Sequence, residues 1–237
     1  MNIALIIAGG NGQRMNQEIP KQFINIDNRP VIIYTLEAFQ KHPSIDVIEV
    51  VCLEGWTEIV RAYAKQFNIT KLHHVVIGGK NGQESIRNGL LALQQEFSEE
   101  DVVLVHDAIR PMVSEEIISD CIQKCKAYGT AIAAVPCNTA MLVTEDREYT
   151  TAYYDRDKLM STQTPQAFFL GKLIKAHEEA LKRGITNAVA SCTMMLELGE
   201  TLHFSIGSEK NIKLTTTGDL EIFRALLAVR QVPWLKS

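Results

Sequence analysis

The sequence predicts an α/β fold: a mostly parallel sheet with helices on both faces and one β-arm leaving it. Three observations carry this expectation. Short apolar, β-prone runs alternate with amphipathic stretches, which is the pattern of strand–helix–strand units. The 237 residues contain no Pro/Gly/Ser-rich linker, so one domain spanning 1–237 around a well-buried core is expected. A single stretch, about 136–156, breaks the alternation.

The elements follow in order. Strands are expected at 2–8, 46–53, 75–77, 101–105, 131–135 and 201–206, each a short apolar run. Helices are expected between them at 30–41, 57–67, 84–97, 114–128 and 171–183, with two closing helices at 191–198 and 217–229. Pro30 suits a first helical position. Ser114 followed by Glu115 and Glu116 places a capping hydroxyl and two carboxylates at the positive end of a helix dipole. In the irregular stretch, Met141-Leu142-Val143 and Tyr149 to Tyr154 flank the polar turn Glu145-Asp146-Arg147-Glu148, which reads as a hairpin. Its edges need cover, from a partner subunit or from its own domain.

Composition narrows the function classes. Apolar content of 46% and charged content of 22% are globular values and argue against disorder. A net charge of −4 argues against a general nucleic-acid or anionic-membrane binder, while leaving room for a local cation cluster. The first apolar run, Ile3 to Ala8, lacks a basic flank and is too short for a signal segment, and nothing reaches the length of a membrane span. Five cysteines, an odd number without a C-x-x-C pair, fit reduced thiols in a cytoplasmic protein.

The strongest chemical signal is Ala8-Gly9-Gly10-Asn11-Gly12-Gln13-Arg14-Met15 with Pro20-Lys21-Gln22-Phe23. A strand ending in glycines lets backbone N–H groups approach a triphosphate, and Arg14 and Lys21 add cations. The dinucleotide fingerprint does not fit, because Met15 stands where its third glycine belongs, and no Gly-Lys-Ser/Thr of a Walker loop occurs. A tight turn is the plain alternative. The second signal is Val102 to Pro111, a central strand with Asp107 at its carboxyl end, where such sheets bind ligands and where a carboxylate suits Mg²⁺. Arg110 either binds an anion or pairs with Asp107. His106 reads as a packed, hydrogen-bonded ring. Lys213, in Asn211 to Thr216, either meets an anion or snorkels. Arg156 and the run Gln163-Thr164-Pro165-Gln166 carry no reading from composition.

Together AGGNGQRM with PKQF, the GG…ESI segment at Gly78 to Ile86, VHDAIRP, YDRDKL, QTPQAF and NIKLTT resemble the cytidylyltransferases that make CDP-methylerythritol and CDP-ribitol. The likeness covers essentially the whole chain. It implies a Rossmann-like domain, and a homodimer in which each arm helps form the neighbour's acceptor site. By position it implies that Ala8, Gly9, Gly10, Asn11, Gly12 and Arg14 hold the CTP phosphates. Arg14, Lys21 and Lys213 would stabilise charge at the α-phosphate, and Gly79 and Ser85 would face the cytosine. Asp107 would hold Mg²⁺, with Arg110 beside it, and Arg156 and Thr139 would grip the acceptor in the partner's site.

The departures fall on the acceptor side. Gly82 and Leu142 stand where members of the resembled family usually carry Arg and Lys, and where they usually carry a Thr-Asp pair this chain reads Ile185-Thr186-Asn187-Ala188-Val189-Ala190-Ser191. The expected acceptor is therefore a polyol phosphate, most of all D-ribitol 5-phosphate, with 2-C-methyl-D-erythritol 4-phosphate as the alternative. A non-catalytic nucleotide-binding protein is the rival from another class.

Overall fold

A computed structural model of the chain describes residues 1–10 and 19–231. Its strands are β1 (Asn2–Ala8), β2 (Asn25–Ile26), β3 (Arg29–Pro30), β4 (Val47–Cys52), β5 (Leu72–Ile77) and β6 (Val102–Asp107). They continue with β7 (Thr130–Pro136), β8 (Met141–Val143), β9 (Ala152–Tyr154), β10 (Met160–Phe169) and β11 (Phe204–Ile206). The helices are α1 (Val31–Lys41), α2 (Thr57–Gln66), α3 (Gly82–Leu93), α4 (Glu115–Tyr128), α5 (Leu170–Lys182), α6 (Ser191–Glu197) and α7 (Thr217–Gln231). Seven strands form the main sheet in the order β11-β7-β10-β6-β1-β4-β5. All neighbours are parallel except at β10, which runs antiparallel to both β6 and β7.

The near-continuous apolar runs of β1 and β6 follow from burial on both faces. On one face Ile32, Leu36 and Phe39 of α1 and Ile118, Cys121 and Ile122 of α4 pack on Ala4, Ile6, Val50 and Leu104. On the other, Ile86, Leu90 and Leu93 of α3 and Leu173 and Ile174 of α5 pack on Ile3, Leu5, Val103 and Phe168. At about 1.5–3 kcal/mol per buried side chain of this size, these layers make the sheet a rigid platform for the loops at its end. A third cluster sets Phe223 of α7 against Ile109 and Leu214, and so clamps two site loops together.

The local signals act largely as read. Ser114 Oγ accepts the Ile117 N–H at the start of α4, and Gly129 at φ +80° closes that helix. Cys52, Cys121, Cys125 and Cys192 are buried, and all five thiols are free. No described helix is long and apolar enough to cross a membrane. Several boundaries differ from expectation, and one strand was not foreseen. Pro30 is the residue before α1 rather than its first turn. Asn81 accepts the Glu84 N–H and starts α3 at Gly82. The ten-residue β10 has no counterpart among the expected strands, because its polar half, Met160 to Gln166, masks the apolar half.

The irregular stretch is a hairpin of β8 and β9, paired antiparallel from Met141↔Tyr154 to Val143↔Ala152. Every residue from 138 to 158 is exposed, including Leu142 at 61% and Tyr153 at 76%. The arm's own domain therefore does not cover it.

Candidate active site

The glycine segment after β1 is tied down by a residue whose role the sequence did not announce. Gln22 is buried, and its Nε2 donates to the carbonyls of Ala8 (2.6 Å) and Gly10 (3.2 Å). Its neighbour Phe23 stacks on Trp56, with ring centroids 4.2 Å apart. The single 3₁₀ turn Lys21–Phe23 is thus fixed to the core and brings Lys21 to the cleft. Asn11, Gly12 and Arg14 lie outside the described residues.

A second glycine pair faces the first. Ser85 Oγ accepts the Gly79 N–H (3.0 Å) and donates to the Asn81 carbonyl (2.8 Å). A Cβ on Gly78 would stand 3.0 Å from that hydroxyl, and one on Gly79 only 2.3 Å from Glu84 Cγ. Gly79 therefore leaves no room for a side chain, and a Cβ at Gly78 would press on the Ser85 hydroxyl. Ser85 is buried, with its hydroxyl engaged in shaping this loop.

Asp107 ends β6, and both its oxygens meet cations. Lys213 Nζ donates to Oδ1 (3.0 Å) and Arg110 Nε to Oδ2 (3.1 Å). Burial pushes the carboxyl up, but the positive charges of Lys213 and Arg110 outweigh it and leave Asp107 below the usual carboxylate range. Arg110 also donates to the Asn211 carbonyl at 2.7 Å. Of its two readings, pairing with Asp107 is the one the geometry bears out.

The QTPQ and NIKLTT segments interlock beneath this pair. Asn211 is buried, and its Nδ2 donates to Gln163 Oε1 (3.1 Å) and the Thr164 carbonyl (2.9 Å). The Asp107 N–H donates to Thr164 Oγ1, whose hydroxyl meets His106 Nδ1 at 3.1 Å. His106 Nε2 lies 3.2 Å from the Arg110 carbonyl. The tautomer that satisfies both contacts carries its proton on Nε2. Burial holds His106 down to about 4, so it is a neutral structural ring, as expected.

Lys21, Gly9, Gly10, Gly79, Ser85, Asp107 and Lys213 line one cleft of about 830 Å³. A smaller cavity of about 260 Å³ adjoins it, sharing Asp107 and Lys213 and adding Arg110, Thr164, His177 and Ser191. Its outer wall, around residues 185–190, hangs on α3. Gln83 Nε2 donates to the Ile185 carbonyl (2.7 Å), and the Ala188 N–H donates to Gln83 Oε1 (2.8 Å). Ser191 Oγ and both His177 ring nitrogens are buried without a hydrogen-bond partner among the described residues. Thr139 and Arg156 do not line either cavity. They lie on the exposed arm, where Arg156 Nη1 donates to the Asn138 carbonyl at 3.4 Å.

Two glycine pairs with Lys21, Lys80, Lys213 and Asp107 around one cleft suit a nucleoside triphosphate. Comparison with known proteins agrees. Residues 2–229 match the family model "IspD: 2-C-methyl-D-erythritol 4-phosphate cytidylyltransferase". The chain belongs to this family. A ribitol-5-phosphate cytidylyltransferase of Lacticaseibacillus paracasei is 43% identical over 98% of the chain and 100% of its own length. A 2-C-methyl-D-erythritol 4-phosphate cytidylyltransferase of Clostridium botulinum is 37% identical over 95% and 97%. The crystal structure of the Francisella tularensis 2-C-methyl-D-erythritol 4-phosphate cytidylyltransferase superposes with a TM-score of 0.79 at 28% identity, over 94% of this chain and 98% of that one. The protein is a cytidylyltransferase, with the Rossmann-like fold that the motifs implied.

His177 gives this cytidylyltransferase a pH signature. Burial, reinforced by the charge of Arg87, pushes the ring down to about 4, against about 6.5 for an unfolded histidine. A histidine depressed in the folded state contributes nothing above pH 6.5 and costs stability as pH falls towards 4, by up to about 3 kcal/mol. Urea denaturation at pH 7.5 and pH 4.5 is expected to show a smaller acid loss for His177→Gln than for the wild type. Equal losses would exclude the assignment.

Proposed function

We propose that the enzyme transfers CMP from CTP to D-ribitol 5-phosphate, releasing pyrophosphate, and that it acts in the cytoplasm as a Mg²⁺-dependent homodimer. The observation that carries the acceptor reading is the smaller cavity beside Asp107. It offers neutral hydrogen-bonding groups, Ser191 Oγ and the two ring nitrogens of His177, that have no partner among the described residues. Buried polar groups of this kind call for a ligand rich in hydroxyls, as a linear polyol is. The relative from Lacticaseibacillus paracasei, named for ribitol 5-phosphate, supports the same reading. The family model and the clostridial relative favour methylerythritol phosphate as the second acceptor to test.

The chemistry asks little of a general base. A phosphate dianion is a competent nucleophile near neutral pH, so the protein must align it in line with the α-phosphorus and supply positive charge where the transition state gains negative charge. Lys21 and Lys213 both line the cleft and are the cations placed to do so. The glycine loops at Gly9–Gly10 and Gly78–Gly79 present backbone rather than side chains to the nucleotide. Asp107 is a hard oxygen donor at the cleft wall. Among the described residues no three-ligand cage surrounds it, which fits Mg²⁺ held by one carboxylate, water and substrate phosphates. When bound there, the ion would neutralise charge on the triphosphate. Lys213, now paired with Asp107, would then be released towards the α-phosphate.

A panel of ribitol, glycerol, erythritol and methylerythritol phosphates, each with CTP and Mg²⁺, tests the reading through pyrophosphate release. Ribitol 5-phosphate is expected to give the highest kcat/KM. A higher value for methylerythritol phosphate moves the enzyme to the second acceptor. CTP binding without turnover on any of them would place the acceptor outside this panel and overturn the ribitol reading.

A further inference from the structure

At the opposite end of β5 from the cleft, the sheet edge carries a second cluster of chemistry-bearing side chains. The parallel register between β4 and β5 slips by one residue, from Ile48↔Leu72 to Glu49↔His74. Consecutive strand residues normally point to opposite faces. A bulge re-aims a side chain, and here it leaves the His73 and His74 rings 4.2 Å apart, tilted by 46°. Both reach the same carboxylate just beyond the end of α3: His73 Nε2 lies 2.8 Å from Glu96 Oε2, and His74 Nε2 lies 3.4 Å from Glu96 Oε1.

We propose that His73, His74 and Glu96 form a binding site for a divalent transition metal of the Zn²⁺ class, with Glu49 orienting His74 from behind. One ligand atom from each of the three lies within 4.8 Å of the others. A tetrahedral Zn²⁺ with bonds of about 2.0–2.2 Å needs ligand atoms roughly 3.3 Å apart, a spacing that small side-chain rotations reach. His73 and Glu96 are exposed, so the ion has access and a fourth position stays open to water.

A second, independent observation points to the same ligand. Glu49 is fully buried on β4, and neither of its oxygens has a hydrogen-bond partner among the described residues. Its Oε2 stands 3.8 Å from His74 Nδ1, which is also buried and unpartnered. An isolated buried carboxylate is costly in a fold of this kind. Its position is that of the carboxylate which, in metal sites, accepts the far N–H of a ligating histidine and fixes the ring. Coordination through His74 Nε2 puts the proton on Nδ1, facing Glu49. The ion would link the edge strand β5 to the carboxyl end of α3, whose first turn builds the nucleotide cleft.

The test is Zn²⁺ titration of chelator-treated full-length protein against a chromophoric competitor, with excess Mg²⁺ and no nucleotide. One Zn²⁺ per chain is expected, with a rise in Tm on binding. His73→Ala and Glu96→Gln, both surface changes, are expected to weaken binding by at least about tenfold. Glu49→Gln is expected to weaken it by about 10–100-fold without lowering the Tm of the metal-free protein. That split separates an orienting carboxylate from a merely structural one. Cys137→Ser and Asp107→Asn, which remove the half-exposed thiol and the cleft carboxylate, should leave binding unchanged. No binding by the wild type overturns the proposal. So does binding undiminished in His73→Ala or Glu96→Gln, or binding lost with Cys137→Ser or Asp107→Asn.

Discussion

Lys213→Ala is expected to lower kcat by about 10²–10³-fold while leaving Tm nearly unchanged, which corresponds to roughly 3–4 kcal/mol of transition-state stabilisation. The side chain is 42% exposed, and among the described residues its one hydrogen bond is to Asp107. Its loss therefore opens no core cavity, and Asp107 keeps its contact with Arg110. The backbone around it is held independently, by Asn211 on the 163–164 segment and by the Leu214 N–H on the Ile109 carbonyl. Lys21→Ala should behave alike, because Gln22 and Phe23 anchor its 3₁₀ turn to the core. Single-turnover kinetics with saturating CTP separate a chemical defect from a binding one. Near-normal rates in both variants would remove the lysines from the reaction.

The parts of this site that were legible in the sequence are those whose chemistry is local. A strand running into glycines, an aspartate at the end of an apolar run and a lysine between apolar residues each declare themselves within a few positions. The cleft brings the described ones together: Gly9, Gly10, Lys21, Asp107 and Lys213. What was not legible works across long separations. Gln163 and Asn211 are 48 positions apart and hold each other through one hydrogen bond, and the pair gives no signal in either segment alone. Gln22 looks like an ordinary polar residue until the fold lays it under Ala8.

The fold shows the same division. Helices α1, α2, α4 and α5 were visible through amphipathic periodicity and caps. Strand β10 was not, since its first half is polar and emerges at the site while only its second half, Gln166 to Phe169, pairs with the core strand β6. The departures around Asn187 and Ala188 gain meaning only in three dimensions. They belong to the wall that Gln83 suspends beside the smaller cavity, which is why differences in acceptor choice would gather there while the cytidine side stays fixed.

The arm sets the second large effect. Leu142, Tyr149, Tyr153 and Tyr154 are all more than half exposed, a patch that calls for cover, and Arg156 stands at its base away from its own chain's cleft. If a two-fold partner supplies the cover, each acceptor site takes Lys21 from one chain and Arg156 from the other. Arg156→Ala and Lys21→Ala homodimers should then each lose about 10²-fold in turnover. Mixing them in equal amounts and allowing exchange yields heterodimers with one intact and one doubly defective site. Random pairing makes half of the dimers mixed, so activity should recover to roughly a quarter of the wild-type value. A Leu142→Asp, Tyr153→Asp variant should run as a monomer in sedimentation and lose turnover without losing CTP binding. Subunit exchange confirmed by mass, with activity no higher than the average of the two parents, would mean that each site is built within a single chain.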